Sequence, residues 1–256
     1  MRYPMSCSTK PLASLITPTL NLEKFLALQT QTLKDQTYSN IEWLVHDSSD
    51  AASETLSTSD DTRIRYYHQP GEMSIGSKRN FLIGEAQGDV IIHLDDDDFY
   101  APTYVETMVE ALEQGHDLVK LSGFFLYSSV YRKLGYWDLS SEDDYCQIWS
   151  AGPLGLARKD LSNTHVHKEA YWGYGFSYAY RRHVAEQIPF PDKNWSEDTT
   201  FILEAIEQFN CHAMKDQEGL VLQILHESNT SKSYPQHSMP GFAVAQFFPG
   251  VHPGFL

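Results

Sequence analysis

The chain has 256 residues, of which 41% are hydrophobic and 13% aromatic, and a formal net charge of −15. This length suits one α/β domain, and the composition argues against extended disorder. The acidic charge argues against sequence-independent binding to nucleic acid or to anionic membranes, because both need a basic surface. The scattered cysteines Cys7, Cys146 and Cys211 form neither a zinc pattern nor a disulfide framework, which is typical of a reducing compartment.

Targeting and membrane signals are weak. The N-terminus has no apolar segment typical of a signal peptide, and no stretch approaches the roughly 18 apolar residues that span a bilayer. We therefore expect a cytoplasmic protein without a transmembrane segment. The apolar stretch from Phe242 to Phe248 leaves a subunit interface or peripheral membrane association open.

Strands and helices alternate through the first part of the chain. The apolar runs predict strands over Ser14–Thr17 (stopped by Pro18), Ile41–Val45, Ile64–His68 and Val90–Leu94. Helices are expected after Asn21 as an N-cap, across Ser77–Ala86 with Gly88 as a C-cap, and across Thr103–Gln114 between Pro102 and Gly115. Such alternation predicts an α/β fold with parallel strands and right-handed crossovers.

The second part of the chain is less regular. A strand across the domain centre is expected over Asp117–Tyr127, a helix over Thr199–Phe209 and a strand over Leu220–Leu225. The aromatic segment Tyr171–Tyr180 suits either core packing or stacking on a sugar face. The tail from Ser233 has no clear period. No repeat or linker divides the chain, so one domain is the economical prediction.

Four aspartates, Asp95 to Asp98, directly follow the strand that ends at Leu94. Ligands of open α/β folds bind at the carboxyl edge of the sheet. Adjacent carboxylates repel one another, and hard divalent cations prefer oxygen ligands. The run therefore suggests a cation site, with a solvated acidic turn or a helix start as the alternative.

Polar residues also follow the first two strands, in Thr17–Asn21 and Asp47–Asp50. The ends of parallel strands share one edge, so these residues are expected to line one crevice. Asp47 can accept a hydrogen bond from a base or ribose, or can cap a turn. Lys78 and Arg79 lie where a helix begins, a place that suits a phosphate, although an arginine such as Arg79 is more often an ordinary surface residue in an acidic protein.

Together these segments resemble the nucleotide-sugar glycosyltransferases of family 2, which have the GT-A fold. The similar segments are Ile16–Asn21, Gln36–Glu42, Gly76–Asn80, Ala86–Gly88 and Leu94–Pro102. The resemblance implies a single GT-A domain with a Rossmann-like, mostly parallel central sheet flanked by helices. It implies a nucleotide-sugar-binding half at 12–115, an acceptor-binding and catalytic half at 116–232 and a C-terminal tail at 233–256.

The resemblance also implies roles for individual residues. Contacts to the nucleotide sugar would come from Pro18, Thr19, Asn21, Asp47, Lys78, Arg79, Asp95 and Asp96. A divalent cation, Mn²⁺ or Mg²⁺, would be held by Asp97 and Asp95, with Asp98 close behind and Asp96 not excluded. His226, in the segment His226–Ser231, would reach the metal or the pyrophosphate, with a structural role as the alternative.

The segment Trp195–Asp198 resembles the family's Glu-Asp motif, which implies that Asp198 is the catalytic base with Glu197 beside it. The alternative is that Ser196 caps the next helix while both carboxylates complement its dipole, and the two roles are compatible. One departure from the family lies after the second strand, where Ser48-Ser49 replaces a glycine and removes an easy positive-φ position.

The resemblance implies an inverting, metal-dependent hexosyltransferase that moves a sugar from a nucleoside diphosphate sugar, by default UDP-linked, to an acceptor hydroxyl. The acceptor would be a glycan, a lipid-linked molecule or a small molecule, as in polysaccharide biosynthesis.

Three other functions are less favoured. A nucleotidyltransferase would normally carry a glycine-rich basic loop where this chain has Pro18–Asn21. A catalytically silent sugar-nucleotide or glycan-binding module is disfavoured by the two carboxylate motifs. A metal-dependent phosphatase would need histidine-rich motifs spaced for two metal ions, which this sequence lacks.

Overall fold

A computed structural model describes residues 10–143, 145–150, 152–158, 164–227, 229 and 232–256. Cys7 and most of the N-terminal lead-in lie outside the described residues, as do Ser228, Thr230 and Ser231 of the late motif. The strands are β1 (Ala13–Thr19), β2 (Ile41–Asp47), β3 (Ile64–His68), β4 (Val90–His93), β5 (Phe99–Tyr100), β6 (Leu118–Ser128), β7 (Lys133–Asp138), β8 (Tyr145–Ile148), β9 (Gly155–Arg158), β10 (Ala179–Arg181), β11 (Cys211–Lys215), β12 (Val221–Leu225) and β13 (His237–Met239). The helices are α1 (Glu23–Asp35), α2 (Glu54–Ser57), α3 (Ile75–Glu85), α4 (Tyr104–Glu113), α5 (Thr164–Trp172), α6 (Arg182–Gln187), α7 (Glu197–Gln208) and α8 (Ala243–Phe247), with 3₁₀ turns at Gly175–Ser177 and Pro253–Phe255.

The first half forms the parallel part of the sheet. Strand β1 lies between β2 and β4, and β3 pairs with the outer side of β2, all in parallel. Successive side chains of β1 enter different cores: Leu15 packs in the cluster that includes α1 and α4, and Ile16 in the cluster that includes α3, α6 and α7. Because helices cover both faces of the sheet, these strands are nearly continuous apolar runs. Such runs could be predicted from the sequence.

The second half makes the sheet mixed. Strand β10 is inserted between β4 and β6 and is antiparallel to both. Strand β6 also pairs in parallel with β11 and β12 and antiparallel with β7, while β5 pairs with β12. The α/β class and the central sheet flanked by helices are confirmed. The antiparallel neighbours are the part of the sheet that strand–helix alternation did not indicate.

Three local predictions are wrong, and two of them concern the end of β1. The strand does not stop at Pro18 but continues to Thr19, paired with β2. Its pairing with β4 ends at Ile16, so the missing N–H of Pro18 costs no hydrogen bond on that side. Asn21 is not a helix cap. The cap position is Leu22, and Asn21 takes a left-handed φ of 58°.

The third wrong prediction concerns Gly88, which is not the C-cap of α3. That helix ends at Glu85 and is capped by Ala86. A Cβ at Gly88 would lie 2.4 Å from the carbonyl oxygen of Leu12, so glycine is needed there for close backbone packing.

The apolar tail packs onto the chain itself. Phe248 is 1% exposed and, with Val244 of α8, joins the cluster of Phe25 and Phe125. Phe242 stays well exposed, at 72%, and Ala245 and Gln246 are exposed as well. Part of the apolar surface expected for an interface is therefore used in internal packing. In the described part of the chain, no helix combines the length and apolarity needed to cross a bilayer.

Candidate functional site

A cleft of about 1100 Å³ opens at the carboxyl end of β4 and runs to the start of α7. Eight of the predicted site residues line it: Pro18, Arg79, Asp95, Asp96, Asp97, Asp98, Glu197 and Asp198. Five others are not part of its described lining: Thr19, Asn21, Asp47, Lys78 and His226. The structure thus brings the two carboxylate motifs, which are about 100 positions apart in the chain, to one cavity.

The acidic loop, Asp95–Asp98, is held by neutral side chains. Gln29 Nε2 lies 2.5 Å from the carbonyl oxygen of Asp98, 3.0 Å from that of Asp95 and 3.2 Å from that of Asp96. The hydroxyl of Tyr100 accepts the N–H of Asp95 at 2.9 Å and donates to the carbonyl of Phe176 at 2.9 Å. These bonds hold the backbone of the loop from the side of α1 and of Tyr100.

Sequence reasoning missed Gln29. The available signal was a polar residue on the buried face of α1, between Leu26 and Leu33. An uncharged polar side chain in such a position must find partners, and here they are carbonyls of the acidic loop.

One carboxylate of the acidic loop contacts the loop after β12. His226 Nε2 lies 2.9 Å from Asp97 Oδ2, and Asn229 Nδ2 lies 3.4 Å from the same oxygen. Asn229 also accepts the backbone N–H of His226 through its side-chain oxygen. Asp98 points to the same strand, because its Oδ1 accepts the N–H of Ile224 at 2.8 Å. That bond gives Asp98 an anchoring role, whereas Asp97 keeps its carboxylate at the cleft.

The electrostatics of the loop indicate a need for positive charge. Burial, together with the neighbouring Asp97, raises the pKa of Asp96 and of Asp98 well above the ordinary value. Burial also raises the pKa of Asp95 to about 6, against the opposing effect of Arg79. Asp96 Oδ2 is buried and has no hydrogen-bond partner among the described residues.

These residues fit a divalent cation that is shared with a ligand. No three or more His, Cys, Asp or Glu side chains among the described residues form a ready-made cation cluster. Mg²⁺ commonly takes one or two carboxylates and completes its shell with substrate phosphates, and oxygen ligands also suit Mn²⁺. Asp97 and Asp95, with His226 beside them and an unpaired oxygen on Asp96, match that partial set.

Arg79 is buried between two carboxylates. Its guanidinium forms an ion pair with Glu197 and lies 3.6 Å from Asp95. The guanidinium of Arg79, which the sequence suggested for binding a phosphate, is thus already paired with Glu197 and Asp95. The arrangement joins the acidic loop to the start of α7, which is a positioning role. Lys78 is buried as well, and its Nζ donates to the carbonyl oxygen of Thr19 at 2.8 Å.

Both carboxylate oxygens of Asp47 accept hydrogen bonds from protein groups. Its Oδ1 accepts the N–H of Ser49 at 2.8 Å and the Ser49 hydroxyl at 2.5 Å, and its Oδ2 accepts the Tyr66 hydroxyl at 2.5 Å. Burial alone would raise the pKa of Asp47, but these hydrogen bonds outweigh it and lower that pKa. Neither Ser48 nor Ser49 takes a positive φ, so the serines that stand in place of the family's glycine are not strained. The left-handed residue nearby is Asn21, whose N–H donates to Ser49 Oγ.

Asp198 lies in the first turn of α7 and faces the cleft. Its Oδ2 accepts the N–H of Gly175 at 2.8 Å, and its Oδ1 accepts the N–H of Thr199 at 2.7 Å. A Cβ on Gly175 would lie 2.7 Å from Asp198 Cβ, so this approach requires glycine. The capping alternative for Ser196 is wrong, because Ser196 takes φ 55° and its side chain makes no capping bond.

Most of the aromatic segment Tyr171–Tyr180 is core. Phe176, Tyr178 and Tyr180 are buried, which confirms the packing interpretation for them. Tyr174 is half-buried and lines the cleft, as does Phe176. Trp137 and Tyr234, two residues that the sequence did not single out, line it as well.

Lys120 is another residue that the sequence did not reveal as important. It is fully buried in β6, and its Nζ donates to the carbonyl oxygens of Tyr171 at 2.9 Å and Gly173 at 2.5 Å. Burial lowers the pKa of Lys120 to about 7, with Asp198 acting in the opposite direction. The lysine thus holds the C-terminal end of α5 and Gly173, two residues before the glycine that contacts Asp198.

The sequence is similar to several known proteins. The family model described as Glycosyl transferase family 2 matches residues 14–168. The uncharacterized glycosyltransferase EpsJ of Bacillus subtilis (strain 168) is 28% identical over 221 residues, which is 83% of this chain and 60% of EpsJ. The putative glycosyltransferase EpsH of the same organism is 28% identical over 187 residues, 71% of this chain and 51% of EpsH. The chain therefore spans only about half to three fifths of the length of these relatives.

Solved structures share the fold. The crystal structure of S. aureus TarS 1-349 in complex with UDP-GlcNAc matches 85% of this chain and 60% of its own, with a TM-score of 0.64 and 16% identity. The mannosyltransferase PcManGT from Pyrobaculum calidifontis, in complex with GDP-Man and Mn²⁺, matches 86% of this chain and 58% of its own, with a TM-score of 0.55 and 15% identity.

Proposed function

The chain belongs to glycosyltransferase family 2, and from that premise we propose that it transfers a sugar from a nucleoside diphosphate sugar to an acceptor hydroxyl with the help of a divalent cation. The observation that carries the proposal is the placement of the acidic loop and of Asp198 on the walls of one cleft. A leaving diphosphate needs positive charge, which a cation held by the acidic loop would supply. An incoming hydroxyl needs a base, which the carboxylate of Asp198 would supply in the same cleft.

The acidic loop would serve the donor. Asp97 and Asp95 would hold the cation, and His226 would join them when its Nε2 carries no proton. Asp98 contributes less, because Ile224 occupies one of its oxygens. When bound, the cation supplies Lewis-acid stabilisation of the charge on the departing diphosphate.

The nucleotide would lie along Pro18 and the loop after β4, at the edge where open α/β sheets bind nucleotides. Four further residues do not belong to the described lining and would shape the nucleotide site through hydrogen bonds with the loops around it: Thr19, Asn21, Asp47 and Lys78. Complexes of fold relatives with UDP-GlcNAc and with GDP-Man support a nucleotide sugar and make uridine and guanosine the first bases to test.

Asp198 would be the catalytic base. The N–H groups of Gly175 and Thr199 orient its carboxylate, and Oδ2, which accepts only the N–H of Gly175 among the described residues, keeps a lone pair for an acceptor hydroxyl. Removing the hydroxyl proton while that oxygen attacks the anomeric carbon gives a single displacement and inversion. Glu197, paired with Arg79, would hold the start of α7 in place.

Isothermal titration tests the donor half of the proposal. UDP and GDP are titrated, with Mn²⁺ and with a chelator, into the wild type, Asp97→Ala and the exposed control Asp60→Ala. We expect one nucleotide to bind in a metal-dependent manner to the wild type and the control and to lose most of that affinity in Asp97→Ala. Tight binding that ignores both the metal and Asp97 would instead identify a silent binding module, and the absence of any nucleotide binding would reject the proposal.

A further inference from the structure

Three aromatic side chains, which we call the aromatic wall, line one side of the cleft: Trp137 of β7, Tyr174 before the 3₁₀ turn, and Tyr234 of the tail. The ring centroids of Trp137 and Tyr174 are 4.7 Å apart with an interplanar angle of 68°. Those of Trp137 and Tyr234 are 5.5 Å apart at 59°. Three separate parts of the chain therefore build one contiguous aromatic surface.

Trp137 is 3% exposed, whereas Tyr174 and Tyr234 are half-buried, and no hydrogen bond joins the polar tip of any of the three to a described residue. The other buried tryptophans of the described chain differ in this respect. Trp43 donates its indole N–H to Thr17 Oγ1 at 2.8 Å, and Trp149 donates to Gln147 Oε1 at 3.1 Å. These unpaired tips belong to side chains that line the cleft, so they remain available to a polar ligand there.

The aromatic wall lies next to the candidate base. Tyr174 immediately precedes Gly175, whose N–H donates to Asp198 Oδ2 at 2.8 Å. Burial, then Tyr234 and Asp198, raise the pKa of Tyr174, so its hydroxyl remains protonated and able to donate. A molecule on the wall would present its own groups to Asp198.

The chemistry of the aromatic wall selects a hydroxylated ring. Its flat apolar faces suit the C–H face of a sugar, and its tips offer one N–H donor and two hydroxyls that both donate and accept. The carboxylate of Asp198 beside the wall disfavours an anionic group at that point, although Arg158, Lys193 and Lys232 also line the cleft. We propose that Trp137, Tyr174 and Tyr234 bind the acceptor, and that the group they bind is a neutral sugar ring; this inference rests on the proposed transferase function.

The test uses the full chain with saturating nucleotide and Mn²⁺, and neutral methyl and octyl monosaccharide glycosides as probes. The indole N–H resonance of Trp137, identified by its loss in Trp137→Phe, is followed during titration. We expect at least one glycoside to shift it, with Tyr174→Phe or Tyr234→Phe weakening that glycoside about three- to tenfold, as the loss of one hydrogen bond predicts. Tyr67→Phe, on β3 away from the cleft, should leave its affinity unchanged.

Equal affinity for the methyl and octyl forms would indicate that the sugar alone is recognised, whereas a preference for the octyl form would indicate a lipid-linked acceptor. If no glycoside shifts the Trp137 resonance, or if the two Tyr→Phe variants bind like the wild type, the acceptor assignment is overturned. The same samples report nucleotide affinity, so failure of the proposed donor function would be seen separately.

Discussion

His226 Nε2 lies 2.9 Å from Asp97 Oδ2 although 129 positions separate the two residues. The contact exists because β12, which leads into His226, pairs antiparallel with β5, which directly follows the acidic loop. The late part of the chain therefore closes the acidic loop, and the cation site that we propose needs both halves of the domain.

This relationship predicts the effect of His226→Ala. The carboxylate of Asp97 would lose a contact that orients it, and partners of this kind typically contribute a factor of about 10–100 in metal affinity. We expect metal-dependent nucleotide binding to weaken by about that factor, and less than in Asp97→Ala. Titration of nucleotide at several Mn²⁺ concentrations measures it, with the exposed His252→Ala as the control. Wild-type metal dependence in His226→Ala would assign the histidine a purely structural role.

Asp198→Asn tests the base. The amide keeps the size of the side chain but cannot take a proton, and general-base catalysis typically contributes about 10²–10⁴-fold. We expect kcat for sugar transfer to fall within that range while nucleotide affinity is unchanged. Glu204→Gln, an exposed change on the same helix, should retain full activity. Retention of wild-type kcat in Asp198→Asn would move the base to another group.

Gly175→Ala tests the contact that orients Asp198. The added Cβ would lie 2.7 Å from Asp198 Cβ and 3.1 Å from its Oδ2, so one of the two segments must move. We expect a loss of about 1–3 kcal/mol in the free energy of unfolding, as for other overpacked sites, and a reduced kcat. Gly84→Ala on α3 meets open space and should be neutral or stabilising, because alanine favours a helix over glycine. Urea unfolding and initial rates measure both, and a Gly175→Ala variant as stable and active as Gly84→Ala would contradict the close approach.

Lys120 predicts a pH dependence of stability. Its pKa is about 7 in the folded chain and ordinarily 10.5, so between these values the unfolded chain binds more protons. The contribution of Lys120 to the free energy of unfolding should then rise with pH from about 7 toward 10, by at most about 1.4 kcal/mol per pH unit.

Urea unfolding of the wild type and Lys120→Met at pH 6, 7, 8 and 9 measures this contribution. The difference between the two should move in favour of the wild type as the pH rises above about 7. Lys24→Met, at an exposed position of α1, should give a difference from the wild type that does not change with pH. A constant difference for Lys120→Met would show that the lysine has the same pKa folded and unfolded.

Features encoded by contiguous residues could be predicted from the sequence. Strand β3 occupies the predicted range Ile64–His68, and the acidic loop follows β4 as expected. The start of α7 places Glu197 and Asp198 together, as their adjacency implied. An apolar period, a turn or a run of like charges lies within one segment of the chain. It predicts structure correctly because the apolar face of that segment must be buried whichever elements pack against it.

What only the tertiary structure decided is which polar groups meet across long stretches of chain. Gln29 under the acidic loop, Lys120 under the end of α5, and Trp137 beside Tyr174 each depend on packing between distant elements. The left-handed Asn21, the continuation of β1 through Pro18 and the tight packing at Gly88 likewise follow from neighbouring strands. A buried polar group takes whichever partner the assembled fold brings within hydrogen-bonding distance, and no local pattern specifies that partner.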